Sequence, residues 1–219
     1  MNQFTLIVKG EASLSVRPDL ILIRLQLSAV NTDYSKTIDK SNNDLDSLRN
    51  ALKKVGFTPD TLKTTNFKVT TEYERVNVNN QWIEKFVGFN CTHDLLLEFD
   101  YDITILNRLI NAIQNSDTSP KYDIKFSVKD SSKVKEQLIQ IAVNDAKTKA
   151  KQIESATNIS LAHIIKINYT GQDLNFVSQT SYDNSQRHGV RLMAKSIDIV
   201  PLDIICHDHI IIEWEYYVN

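Results

Sequence analysis

The chain has 219 residues, of which 42% are hydrophobic and 24% charged, with a formal net charge of −2 and two cysteines. This is the make-up of a soluble globular protein, long enough to bury roughly 70% of its unfolded surface. The charge is too close to zero to recruit nucleic acid or anionic lipid, no apolar run approaches the roughly 20 residues that cross a bilayer, and two cysteines cannot form a disulfide framework.

The first segment, Phe4 to Val8, alternates at once and carries neither the basic stretch nor the long apolar stretch of an export signal. Together with the sparse cysteines, this leads us to expect a cytoplasmic protein. Gly10 interrupts the alternation and predicts a bulge or bend, after which Ala12, Leu14 and Val16 resume it. Pro18-Asp19 punctuates the chain before a half-buried strand, in which Ile21, Ile23, Leu25 and Leu27 share one face.

The period then changes. Ile38, Leu45, Leu48, Leu52 and Val55 form a single apolar stripe on a long helix, which Gly56 stops in a left-handed conformation. Strand pattern returns at Phe67, Val69, Thr71 and Tyr73, and Asn79-Asn80 reads as a hairpin turn. The segment from Trp82 to Phe99 is overlong. Extended at about 3.3 Å per residue it would span roughly 60 Å, so it must bend, and Gly88 is the place expected.

A second helix follows Asp100 or Asp102 as cap, with Ile103, Leu106, Leu109, Ile110 and Ile113 inward. A strand from Tyr122 to Val128 leads to the capping cluster Asp130-Ser131-Ser132. The third helix turns Val134, Leu138, Ile141, Ala142, Ala146, Ala150 and Ile153 inward. Its alanines recur every four residues, which makes a ridge low enough to lie close to a sheet. Lys147, Lys149 and Lys151, flanked by Asp145 and Glu154, read as a solvated face. Asn158 stands where a left-handed cap would close the helix.

A strand is expected from Ala162 to Tyr169, a mobile loop over 171–190, and two last strands near 191–199 and 203–218. Hairpins plus three helices indicate an α+β fold, a two-layer sandwich with helices on one face of mostly antiparallel sheet.

The residues Ile7-Val8-Lys9-Gly10, Pro18-Asp19, Val55-Gly56, Thr64-Thr65 and above all Ala142 to Ala150, in this order and spacing, resemble the SIMPL domain family, a bacterial group of unknown function. The resemblance covers essentially the whole chain. It implies an α+β protein of two intertwined lobes, one ferredoxin-like, whose relatives form homo-oligomers and are linked to oxidative stress. It transfers no catalytic activity. Many relatives carry an export signal that is not seen here, and they place Gly where Asn158 stands. The lobes are expected at about 1–87 with 190–219, and at about 88–170.

Five residues invite a chemical reading. On a strand over 203–218, Cys206 and His207 point to opposite faces, so a thiolate–imidazole pair would need a bulge. His207 and His209 share a face about 7 Å apart, a spacing zinc can bridge, but the sequence offers no third ligand, and Glu213 lies too far along. Cys91 and His93 fall on the apolar face of the long strand, where core roles are the ordinary reading. They could meet Cys206 only if the two long strands were neighbours. No phosphate-binding glycine loop or nucleophile elbow is present. The expectation is therefore a non-catalytic protein without cofactor. It acts by homo-oligomeric assembly through the open edges of its long strands, and by contact with a protein partner. A metal- or thiol-dependent enzyme on the His207/His209 pair is the rival, and an edge that binds an added peptide strand a third reading.

Overall fold

The computed structural model describes residues 4–78, 80–171, 173–184 and 198–218. In chain order its elements are β1 (Phe4–Val16), β2 (Leu20–Asn31), α1 (Tyr34–Val55), a 3-10 turn (Pro59–Thr61), β3 (Leu62–Val78), β4 (Gln81–Asp100), α2 (Ile103–Gln114), β5 (Lys121–Ser127), α3 (Ser131–Ala156), β6 (Ile159–Asn168), β7 (Val177–Asp183) and β8 (Ile204–Val218). The strands form one sheet in the order β1-β8-β6 and another in the order β3-β4-β2-β5-β7. The β1–β8, β6–β8, β2–β4 and β3–β4 pairs are all antiparallel. The fold is α+β.

Two compact units result. One draws on Met1–Pro18, Ser127–Gln179 and Leu202–Asn219, the other on Asp19–Phe126 and Thr180–Pro201. The expected lobes, about 1–87 with 190–219 and about 88–170, are drawn differently. Both β2 and β3 pair with β4, so residues on either side of 87 belong to one sheet. The first of the boundaries falls at the Pro18-Asp19 punctuation, and the others follow Phe126, Gln179 and Pro201.

In the five-stranded unit, α1 and α2 supply one apolar layer. Leu45, Leu48 and Leu52 of α1 and Leu106, Leu109, Ile110 and Ile113 of α2 are buried with Ile21, Ile23, Leu25, Leu95 and Leu97 of the sheet. Each such side chain contributes about 1.5–3 kcal/mol by leaving water. Helix α1 stops as expected. Gly56 takes φ 104° and the Phe57 N–H reaches back to the Leu52 carbonyl at 3.2 Å, a backbone reversal that glycine makes at little cost. Of the two cap candidates for α2 it is Asp102 that serves, accepting the Thr104 and Ile105 N–H groups at 2.8 and 3.0 Å.

The three-stranded unit carries α3. Val134, Leu138, Ala142, Ala146 and Ala150 are buried against Val8, Ala12, Ile204, Cys206, Ile210, Ile212 and Trp214. Ile141 and Ile153 were expected inward and instead lie 38% and 36% exposed. The helix meets its sheet along the single four-residue ridge of the alanines, and both isoleucines sit on its flanks.

Gly10 makes no bulge. The β1–β8 register runs unbroken from Phe4↔Tyr216 to Val16↔Ile204. Glycine is needed there because α3 comes so close: a Cβ at Gly10 would lie 2.7 Å from the Ala146 Cβ and 2.8 Å from its backbone nitrogen. Asn158 makes no left-handed cap either. The helix ends through Thr157 in an extended conformation (φ −130°, ψ 163°), and Asn80 is the non-glycine residue with positive φ among those described.

The bend expected at Gly88 is present. Opposite the step from Glu72 to Tyr73, Val87 is the extra residue of a bulge, and a Cβ on Gly88 would stand 2.6 Å from the Asn31 carbonyl oxygen. The loop expected over 171–190 contains the strand β7, whose polar sequence gave no apolar alternation. Tertiary partners hold it: Tyr182 stacks on Tyr122 at 6.2 Å, and the Ser178 hydroxyl donates to the Leu202 carbonyl at 2.7 Å. The rest of that loop from 185 on, the strand expected near 191–199 up to 197, and Asn79 of the hairpin turn lie outside the described residues.

Candidate functional site

In β8, Ile204, Cys206, Asp208, Ile210, Ile212 and Trp214 are buried on the α3 side, while His207 and His209 turn to the opposite face, across from Ser13 and Glu11 of β1. The two faces read from the alternation are therefore those of the structure. Burial pushes the Cys206 thiol up, away from the thiolate that a nucleophile needs.

His207 and His209 border an open hollow of about 440 Å³ with Lys9, Glu11, Ser13 and Asp208. The carboxylates there are engaged. Glu11 pairs with Lys9 at 2.8 Å, and this contact holds its carboxyl below the usual range. Asp208 accepts the Tyr169 hydroxyl at 2.9 Å and the His209 N–H at 2.8 Å. Among the described residues no three His, Cys, Asp or Glu side chains gather in a way that could hold a metal ion.

Cys91 and His93 lie in β4 and Cys206 in β8, strands of different sheets, so the pairing that would have brought these three together is not made. Cys91 is fully buried and His93 is 5% exposed. His93 Nε2 meets the Thr64 hydroxyl at 2.8 Å, and its ring stands edge-on to Phe67 at 5.1 Å. Its Nδ1 is buried without a hydrogen-bond partner among the described residues, and so is Arg49 Nε of α1. Burial first, then the Arg49 charge, pushes the His93 pKa down.

Of Lys147, Lys149 and Lys151, expected on a solvated face, Lys149 departs from that expectation. Its ammonium bonds Asp145 at 2.6 Å and donates to the Lys9 carbonyl at 3.2 Å, while Asp145 accepts the Glu11 N–H at 2.8 Å. These two helix side chains therefore occupy backbone groups on the outer edge of β1, the side away from β8. The i,i+4 spacing of Asp145 and Lys149 is the one signal in the sequence that could have shown the ion pair. That the pair would cap a strand edge has no such signal.

Among the described residues, one unpartnered apolar surface is the far half of the β3–β4 hairpin. β2 pairs with β4 only from Phe89 to Asp100, so residues 81–87 of β4 are paired with β3 alone. Among the described residues neither face of this two-stranded arm is covered: Tyr73, Trp82, Ile83, Phe86 and Val87 are 57%, 70%, 47%, 42% and 38% exposed. An aromatic ladder runs along one face from the start of α1, through the Tyr34–Phe89 (5.5 Å), Phe86–Phe89 (5.4 Å) and Tyr73–Phe86 (5.7 Å) contacts. The sequence showed the length of this strand but not that half of it would lack a second neighbour.

A family model described as SIMPL, protein of unknown function (DUF541), matches residues 6–201. The chain belongs to the SIMPL family. A search of curated proteins gave no match.

The residues that carried the resemblance have structural work in this SIMPL protein. Ile7 to Gly10 and Ala142 to Ala150 form the close strand–helix contact already described. The Asp19 carbonyl accepts the Tyr101 N–H at 2.9 Å, tying the start of β2 to the end of β4. Thr64 and Thr65 lie at a bulge in β3, where one hydroxyl meets His93 and the other donates to the Asp94 carbonyl at 3.2 Å. No helix among the described residues is long and apolar enough to cross a membrane.

Proposed function

We propose that this SIMPL protein acts by associating with copies of itself, and that the β3–β4 arm is the contact surface. The observation that carries the reading is the arm itself. A lone two-stranded ribbon is marginally stable in water, yet this one is long and displays Trp82, Phe86 and Tyr73 to solvent. Aromatic groups in such a setting anchor protein interfaces. The route differs from the one expected from sequence. Both overlong strands are interior to their sheets, β4 between β3 and β2 and β8 between β1 and β6, so each keeps an open edge only over part of its length, β4 before its pairing with β2 begins at Phe89 and β8 before its pairing with β6 begins at Ile211. A cytoplasmic setting belongs to the same proposal, since both cysteines are free and buried.

Size exclusion with light scattering tests it at micromolar concentrations. The wild-type chain is expected at a multiple of 25.1 kDa. A Trp82→Ser, Phe86→Ser variant is expected to fall to the mass of one chain with unchanged circular dichroism. A wild-type protein that elutes as a single chain throughout would end the proposal.

A further inference from the structure

We propose that His93 is an acid-operated latch: as a neutral ring it fits between α1, β3 and β4, and as a protonated ring it becomes a buried cation beside Arg49 and loosens that packing. The inference does not rest on self-association.

The geometry is one-sided. His93 is almost fully buried on the helix-facing side of an interior strand, and one ring nitrogen, Nδ1, has no hydrogen-bond partner among the described residues. The groups around it come from four elements. On β3 are the Thr64 hydroxyl, which takes up Nε2, and the Phe67 ring. Strand β2 places Leu27 opposite, and helix α1 supplies Arg49, whose own carboxylate partner, Asp46, is 3.7 Å from it. On β4 the neighbours are Cys91 and Asp94. The Asp94 carboxylate is the one anion adjacent in sequence, and it is already taken by Gln26 Nε2 at 2.8 Å and Asn66 Nδ2 at 3.0 Å. A neutral ring satisfies this site by sharing one hydrogen with Thr64. A doubly protonated ring adds a second N–H that meets no acceptor, together with a positive charge near a guanidinium in an apolar setting.

The direction of the effect follows by linkage. Burial and Arg49 lower the folded-state pKa of His93, so on acidification the unfolded chain binds the proton first. Stability is complete above the ordinary histidine value of about 6.5 and is lost as the pH falls from there toward the folded-state value. The device thus responds to mild acid, a range in which carboxylates remain ionised.

Two measurements on the full chain test it. In urea unfolding at pH 7.5 and pH 5.5, the wild-type midpoint is expected to drop on acidification, and that of His93→Gln to drop less. Arg49→Met, which removes the repelling cation, is expected to fall between them. Equal drops in wild type and His93→Gln would overturn the latch. Should His93→Gln fail to fold, imidazole-nitrogen NMR of the wild-type protein decides alone: the His93 ring is expected to stay neutral at about pH 6, below the ordinary histidine value of about 6.5. A His93 ring that takes up its proton at or above that ordinary value would overturn the proposal equally.

Discussion

Gly10 shows how one residue can hold two layers together. Its missing side chain lets the alanine ridge of α3 rest on the backbone of β1, and the space left is smaller than a methyl group. Gly10→Ala would force helix and strand apart, because the obstruction is backbone and a short alanine rather than a long side chain that can swing away. Overpacking of this kind costs about 1–3 kcal/mol, so the urea midpoint of Gly10→Ala should fall accordingly. An unchanged midpoint would mean that α3 does not lie this close. The same scale explains why Cys206 is a poor nucleophile: alternation turns it inward, and its burial with Ile204, Ile210 and Trp214 disfavours the charged thiolate. The glycine was legible in the sequence as an interruption, but its reason was not. A bulge and a close approach leave the same mark in a string of letters, and only the partner across the gap tells them apart.

At the level of elements, α3 does more than cover a sheet. β1 is an edge strand, and edges offer unpaired N–H and C=O groups to any passing chain. Asp145 and Lys149 occupy the Glu11 N–H and Lys9 carbonyl on that edge, so the middle of β1 is protected against strand addition. Asp145→Ala should therefore speed amide hydrogen exchange at Glu11 while leaving the amides of Gly10, bonded toward β8, slow. Protection at Glu11 that survives the substitution would remove this role. The Asp145 carboxyl is also held below its ordinary range, first by Lys149 and then by the Glu11 N–H, so the contact persists until the pH falls below the ordinary carboxylate range and is then lost by protonation. Helix periods, the Gly56 stop and the acidic caps of α2 and α3 were readable because they depend on neighbours three and four residues away. β7 was not readable, because a short polar strand owes its existence to Tyr122 and Leu202, which are remote in sequence.

Over the whole molecule, the chain's first and last strands pair along their full length, Phe4 with Tyr216 through Val16 with Ile204. β8 is also the central strand of its sheet and carries half of the apolar floor beneath α3. A chain ending at Asp203 would leave β1 and β6 without a common neighbour and expose Leu138 and the alanine ridge. In hydrogen exchange such a truncated chain should lose protection throughout α3, whereas persistent protection there would show that the helix needs no sheet. The discontinuity of the two units has the same origin, because each sheet recruits strands from distant parts of the chain.

The sequence by itself determined the α+β class, the three helices with the Gly56 stop and most of their inward faces, the irregularity near Gly88, the opposed faces of Cys206 and His207, and membership of the SIMPL family. These are properties of period, punctuation and local order, which act over a few residues or over the whole pattern at once. Strand neighbours, the division into units, the bare far half of β4 and the sealed, half-bonded position of His93 were decided by the tertiary structure alone. Backbone hydrogen bonding between strands is nearly indifferent to side-chain identity, so which strands meet, and which are left without a partner, is settled only when the layers pack.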